Sequence, residues 1–189
     1  PFPPFRVIDT TVDTLANAPN ATNESVGVFA QDEWFASERL TVTGGLRWQR
    51  VSTKADATPG WDIAGLDFDD DALVGSLAAV WGLTDKLRVV AGAGTAFRAP
   101  SIIERLFNGP TPEGAGFQIL NPELQSERSE AIDLGLKYLS GNAFAELVVF
   151  RNEIEDGVIQ AFFSPAEIAA LPADLQERIE DSGATFVVQ

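Results

Sequence analysis

Leu40-Thr41-Val42-Thr43-Gly44-Gly45-Leu46-Arg47-Trp48-Gln49-Arg50-Val51 alternates with a period of two. Leu40, Val42, Gly44, Leu46 and Trp48 fall on one face; Thr41, Thr43, Gly45, Arg47 and Gln49 fall on the other. Successive side chains of a β-strand point to opposite faces, so this stretch reads as a strand between an apolar and a polar environment. The pattern recurs downstream. Leu87, Val89, Ala91, Ala93 and Phe97 oppose Arg88, Gly92, Gly94 and Arg98. Ile132, Leu134, Leu136 and Tyr138 oppose Asp133, Gly135 and Lys137, and Ala143, Ala145, Leu147 and Val149 oppose Glu146. Two strands are less regular: Val26 to Trp34 carries Asp32 on its apolar face, and Leu73 to Trp81 is mostly apolar on both. Val90, Phe144, Val148 and Phe150 likewise fall on the polar side, as on an inner face that packs against something.

Strands are expected near residues 25–34, 40–51, 72–81, 87–98, 130–139 and 142–152, with Thr185 to Gln189 reading as the start of a further one. The fold class is all-β, an antiparallel up-and-down meander of about six to seven strands. The connections go short, long, short, long, short. Phe35 to Arg39, Gly82 to Asp85 and Ser140 to Gly141 are short; Ser52 to Asp70, Ala99 to Arg128 and Asn152 to Gly183 are long. Soluble hairpin loops are mostly short at both ends. Tight turns on one side and long loops on the other suit a transmembrane β-barrel, with periplasmic turns and external loops.

The aromatics agree. Trp34, Trp81 and Tyr138 each precede a short turn on the apolar face, and Trp48 and Phe97 precede long loops on the same face. Two aromatic belts mark two membrane interfaces. Leu87 to Phe97, at ~3.3 Å per residue and a tilt of roughly 40°, covers about 25 Å, the height of a barrel's apolar band. A soluble β-sandwich or meander explains the alternation but neither the belts nor the loop asymmetry. Arg47, Gln49, Arg88, Asp133, Lys137 and Glu146 then face the lumen.

Composition narrows the function. The 189 residues include no His and no Cys, which excludes thiol chemistry, disulfides and the commonest general base and metal ligand. No catalytic constellation is apparent, so an enzyme is not expected, nor a resident cofactor or metal site. A net charge of -15 argues against nucleic acid. Most of that charge lies in Lys54 to Asp71 and Arg151 to Asp181, which leaves nearly neutral strands beneath an acidic crown. Mean hydropathy of +0.03 suits an alternating barrel wall. With no Met and Pro1 first, the chain is expected to be an internal piece of a longer polypeptide.

Several boxes carry a family resemblance. Val28-Phe29-Ala30-Gln31-Asp32-Glu33-Trp34 and Leu40 to Trp48 look like the strands entering and leaving a periplasmic turn in the barrel domain of TonB-dependent outer-membrane receptors. Phe97-Arg98-Ala99-Pro100-Ser101, with Glu104 and Leu106-Phe107, resembles a box opening a long external loop. Asn121-Pro122-Glu123-Leu124, with Glu127 and Ser129, resembles the box that closes it. Gly135 to Tyr138 and Phe150-Arg151-Asn152, with Ile154 and Ile159, match the next hairpin. The resemblance spans roughly Ser25 to Gln160 and implies a barrel of about 22 strands filled by an N-terminal plug. The plug is absent from this sequence, and about six strands are too few to close a barrel. It also implies uptake of a scarce nutrient across the outer membrane, with the TonB complex (through the plug), outer-membrane lipid, lipopolysaccharide and a small ligand as partners. A passive porin and a soluble β-sheet binding module are the alternatives. Read physically, the boxes either touch ligand or simply fold the two ends of the loop.

The paired boxes are reminiscent of the haem and siderophore branch, whose haem members place a His between them. Phe107 to Leu120 has none, and Tyr138 sits by a short turn on the lipid face, so no axial ligand is available here. A siderophore, cobalamin or carbohydrate suits the segment at least as well as haem. Asp67-Phe68-Asp69-Asp70-Asp71 reads as a Ca²⁺ site or, lacking EF-hand spacing, as a solvated acidic loop. Ser164-Pro165-Ala166-Glu167 has the form of a capping box that opens loop helices near residues 165–180. Ile168, Leu171, Leu175 and Ile179 form an apolar stripe there, which either packs on the barrel rim or serves as a ligand lid.

Overall fold

The computed structural model describes residues 16–112 and 114–189. Its elements in chain order are β1 (Ala21–Ser37), β2 (Leu40–Ala55), β3 (Phe68–Gly82), β4 (Leu87–Arg98), α1 (Ile102–Leu106), β5 (Gly109–Pro110), β6 (Gly116–Gln118), β7 (Glu127–Ser140), β8 (Ala143–Glu155), α2 (Pro165–Ala169), α3 (Ala173–Ser182) and β9 (Phe186–Val188). Six long strands form one antiparallel sheet in the order β1-β2-β3-β4-β7-β8. Successive wall strands pair antiparallel with their neighbours, α1, β5 and β6 being inserted between β4 and β7, which is the expected up-and-down meander. The sheet is open, with β1 and β8 at its edges.

Register keeps the two faces distinct across all six strands. Trp34 stands opposite Val42, Val42 opposite Ala79, Ala79 opposite Ala91, Ala91 opposite Leu134 and Leu134 opposite Val149. A slip of one residue anywhere would turn a whole strand's apolar side chains to the other face. The apolar face has no cover: Trp34, Leu46, Leu73 and Leu147 are each at least 60% exposed. Among the described residues, every buried hydrophobic side chain lies outside the six wall strands. A soluble sandwich would bury these strands' apolar faces against a second sheet. Here, among the described residues, no second sheet covers the wall.

The aromatic belt at the short-turn end shows how the strands lie. Trp34 is opposite Val42 on β2, whereas Trp81 is opposite Leu40, two residues nearer the turn. Trp81 is also opposite Val89 on β4, whereas Tyr138 is opposite Leu87, two residues nearer again. The belt therefore steps about one residue per strand. A level interface crossing tilted strands produces that drift. With ~3.3 Å per residue along a strand and ~4.8 Å between strands, the tilt is roughly 35°, within the range of membrane barrels.

The wall strands run beyond the spans expected from alternation, mostly at the long-loop end. The acidic run explains one extension. Asp69, Asp70 and Asp71 belong to β3 rather than to a solvated loop. Asp69 takes hydrogen bonds from Arg50 and Ser52 of β2, and Asp67 accepts from the Ala55 amide at 3.1 Å. Partners across the ladder replace water, so charged residues extend the strand. Among the described residues no His/Cys/Asp/Glu group is arranged to hold a metal, which leaves the Ca²⁺ reading without support.

The two later long loops fold on each other. β5 and β6 form a small hairpin, and β9 adds to β6 in parallel. Thr185 to Gln189 is therefore the edge of this second sheet and not a seventh wall strand. Val187 and Val188, adjacent in sequence, are 2% and 1% exposed. Burial on both faces suits a strand enclosed by loop structure better than a wall strand with one polar side. Phe117, Ile119, Ile179 and Val187 form the core, with Ile168, Leu171 and Leu175 packed around it. The helical stripe thus packs on this loop sheet, whereas a barrel-rim contact was one expectation. The Ser164–Glu167 capping box is present, and Gly183 ends α3 at φ 67, a left-handed conformation that favours glycine.

Candidate functional site

The site is assembled where β4 stops. Pro100 lacks an amide hydrogen and cannot extend the ladder, so the chain leaves the wall after Arg98. Ser101 caps α1: its hydroxyl accepts from the Glu104 amide at 3.2 Å, and the Glu104 carboxylate accepts from the Ser101 amide at 2.7 Å. The same carboxylate accepts from the Arg98 guanidinium at 2.9 and 3.0 Å. Arg98 also donates to Glu127, the first residue of β7. Glu127 in turn accepts from the Val158 amide at 2.7 Å. One arginine therefore ties the start of the first loop, its end, and the start of the next. Burial pulls the Glu104 carboxyl upward, yet hydrogen bonds from Arg98 and Ser101 outweigh it and hold it below the usual carboxylate range.

α1 also buries Arg105, 4% exposed. Its guanidinium grips Asp70 of β3 with two hydrogen bonds of 2.6 and 2.8 Å and donates to the Leu124 carbonyl at 2.8 Å. It lies 4.7 Å from the centre of the Phe68 ring, a cation–π distance. Ser126 adds a hydroxyl to Asp70 at 2.6 Å. The Asn121 amide donates to the Arg105 carbonyl at 2.9 Å. The Phe97–Leu106 and Asn121–Ser126 segments are thus held side by side. Among the described residues, Arg105 Nε has no hydrogen-bond partner.

The residues expected from sequence fall into two groups. Of the boxes, Arg98 is engaged in the clamp just described, Pro100 is buried at the exit of β4, and Ala99 joins them. Asn121, Pro122, Glu123 and Leu124 line a cavity of about 640 Å³ together with Gln125, Asp156, Gly157 and Gln189. Phe97 keeps to the aromatic face, opposite Arg128. On the other face of the wall, Arg88, Lys137 and Glu146 share one row, and Lys137 reaches Glu146 at 2.9 Å. Arg47 donates to Gln49 at 3.1 Å, and Gln49 to Ser25 at 3.1 Å. Asp133 stands opposite Gly92. A further row on that face, Thr41–Val80–Val90–Gly135–Val148, is apolar from β3 to β8.

Sequence reasoning missed Arg105, Ser126 and α1, and read Asp70 only as part of a Ca²⁺ site or solvated acidic loop. The Ser101-x-x-Glu104 spacing was a visible helix signal. Nothing in the sequence pointed to the pairing of Arg105 with Asp70, 35 residues away.

Comparison with known proteins gives a consistent picture. Residues 2–168 match the family model described as TonB dependent receptor-like, beta-barrel. The chain is 28% identical over 156 residues to the iron-regulated outer membrane virulence protein of Vibrio cholerae, covering 79% of the chain and 21% of that protein. The chain thus spans about a fifth of the curated relatives' length. Among solved structures it resembles the hemophore receptor HasR of Serratia marcescens, determined with its hemophore HasA and heme (TM-score 0.64, 21% identity, 77% of this chain and 27% of that one). It also resembles the FrpB iron transporter of Neisseria meningitidis (TM-score 0.55, 21% identity, 74% and 19%). The copper transporter OprC gives a TM-score of 0.60 at 25% identity, over 76% and 23%.

Proposed function

This chain belongs to the TonB-dependent receptor-like β-barrel family, and from that premise we propose that it forms part of a receptor for TonB-energised uptake of a scarce nutrient. Its sheet is outer-membrane barrel wall, with the apolar aromatic face toward lipid. The short turns then lie in the periplasm and the clamped loops outside. Family members are transport receptors rather than enzymes.

The observation that carries the proposal is the clamp at the loop mouth. Arg98 and Arg105 hold both boxes, the outer end of β3 and the start of the last long loop in one arrangement. Fixed loop ends present the intervening segment reproducibly, which lowers the ordering cost of capturing a ligand. Within this reading the boxes act by positioning, and the Asn121–Leu124 wall of the cavity is where they meet a ligand. The apolar row Val80–Val90–Gly135–Val148 suits a lumen packed against a plug better than an open aqueous channel. Two curated relatives are named as iron-regulated, which supports a ferric chelate as the cargo class. With no histidine in the segment, haem would need its axial ligand from elsewhere.

Uptake of radiolabelled ferric siderophores, haem and cobalamin, each supplied separately, is measured in cells carrying or lacking the full-length gene, with TonB present or deleted. Loss of uptake of one cargo on removing either gene is the expected result. Uptake that persists without TonB, or that shows no cargo preference, overturns the proposal in favour of a passive channel.

A further inference from the structure

We infer that the two external loops, residues 99–126 and 156–189, are one cooperative lid rather than two independent loops. The reason is that their buried core is shared: its four buried residues come two from each loop, with Phe163, Ile168, Leu171, Leu175 and Ala184 of the second packed against them. Phe117 and Ile119 come from the first loop, Ile179 and Val187 from the second, and the four pack as one buried cluster. Short chain segments gain little from local structure alone, so each loop depends on apolar surface supplied by the other. Backbone pairing crosses the same seam. The Thr185 amide donates to the Ala115 carbonyl at 2.8 Å, and the Ile119 amide donates to the Val188 carbonyl at 2.8 Å. Arg178 of α3 donates to the Asn108 carbonyl at 2.7 Å, and its guanidinium lies 5.6 Å from the centre of the Phe117 ring. The Phe186 ring rests on Gly116, where any side chain would strike it.

Among the described residues, the joint body is tied to the rest of the chain at few points, one of them the Asn108 amide donating to the Asn17 carbonyl at 2.7 Å. The first loop is held through Arg98 and Arg105, and the second enters through Asp156 and Gly157, with the Val158 amide bound to Glu127. A ligand that holds either loop therefore holds both, and opening one exposes the core of the other. That the body closes a ligand mouth rests on the receptor reading; its cooperativity does not, and the test needs no ligand.

Amide hydrogen exchange is followed on the full-length protein in lipid bilayers for wild type, Ile119→Ala and Ile179→Ala, with Ile179→Val as a mild control. Each alanine removes part of the shared core. Exchange should rise about tenfold or more in both loops for either alanine variant, less for Ile179→Val, while the wall amides stay unchanged. Faster exchange only in the substituted loop overturns the inference, as does no change in either loop. Faster exchange throughout the wall overturns it too, because the loops would then not be a unit separate from the barrel.

Discussion

Arg105 shows how one side chain sets the geometry of a loop. Its pair with Asp70 is nearly dry, with the two side chains 5% and 11% exposed. Removing one partner of such a pair leaves a buried charge uncompensated and costs about 3–5 kcal/mol, whereas exchanging both for apolar groups costs far less. Arg105→Ala should therefore free α1 and the Asn121–Leu124 turn, and the double change Arg105→Met with Asp70→Leu should recover much of the loss. Hydrogen exchange at the Arg105 and Phe107 amides measures both. Arg105→Lys should rescue poorly, because an ammonium cannot make the forked contact with Asp70 while also reaching Leu124. Glu104 gives the clamp a pH dependence. Its carboxyl titrates below the usual range when folded, so its contribution is fully present above the unfolded value of 4.5 and is lost as pH falls through the lowered folded value. Protease resistance of residues 99–126 should be constant from neutral pH down to about that value and fall below it, and Glu104→Gln should weaken this dependence. Neither arginine's role was legible in sequence. A family box marked Arg98 without saying what it grips, and Arg105 lay inside the same box with nothing to indicate its partner.

Wall strands are legible because alternation records two unlike faces directly: apolar on one side and mixed on the other. Their outer ends were not, since Asp69 to Asp71 look like loop until Arg50, Ser52 and Arg105 are brought beside them. β9 was misread for the opposite reason. Its residues favour strand, but strand propensity does not identify the partner, and Val187 and Val188 bury against the loop sheet. Packing between wall strands also depends on small residues facing large ones. A Cβ at Gly135 would lie 2.6 Å from Val90 Cγ2 and 3.2 Å from Val148 Cγ2, on strands to either side. Valine χ1 is stiff, so neither neighbour can readily move aside. Gly135→Leu should therefore cost about 1–3 kcal/mol by overpacking, read as a lower unfolding temperature of the full-length barrel in detergent. Gly141→Ala is a different case: nothing lies within 4 Å of that position, and any penalty there would come from its positive φ of 46.

At the scale of the whole molecule, the open sheet has its buried apolar side chains in the loops and an uncovered apolar face along the wall. That inversion relative to a soluble protein makes a sharp demand on charge placement. Leu77 and Ala78 are adjacent on β3 but point to opposite faces: Leu77 stands opposite Gly44 and Ala93 on the aromatic face, and Ala78 opposite Thr43 and Gly92 on the other. Both lie well inside the wall, away from either aromatic belt. An arginine at Leu77 would enter hydrocarbon, at about 2–4 kcal/mol near the bilayer midplane. An arginine at Ala78 would enter the lumen in the same row as Asp133, whose carboxylate lies over the intervening Gly92 and can receive it. Leu77→Arg should thus reduce insertion and folded yield of the full-length protein in bilayers, while Ala78→Arg is nearly neutral unless it disturbs a packed lumen. In detergent-free buffer the contrast should vanish, because water solvates an arginine on either face. Equal effects of the two changes in bilayers would mean that the faces are not lipid and lumen. The register, the aromatic belts and the roughly 35° tilt would then need a different cause.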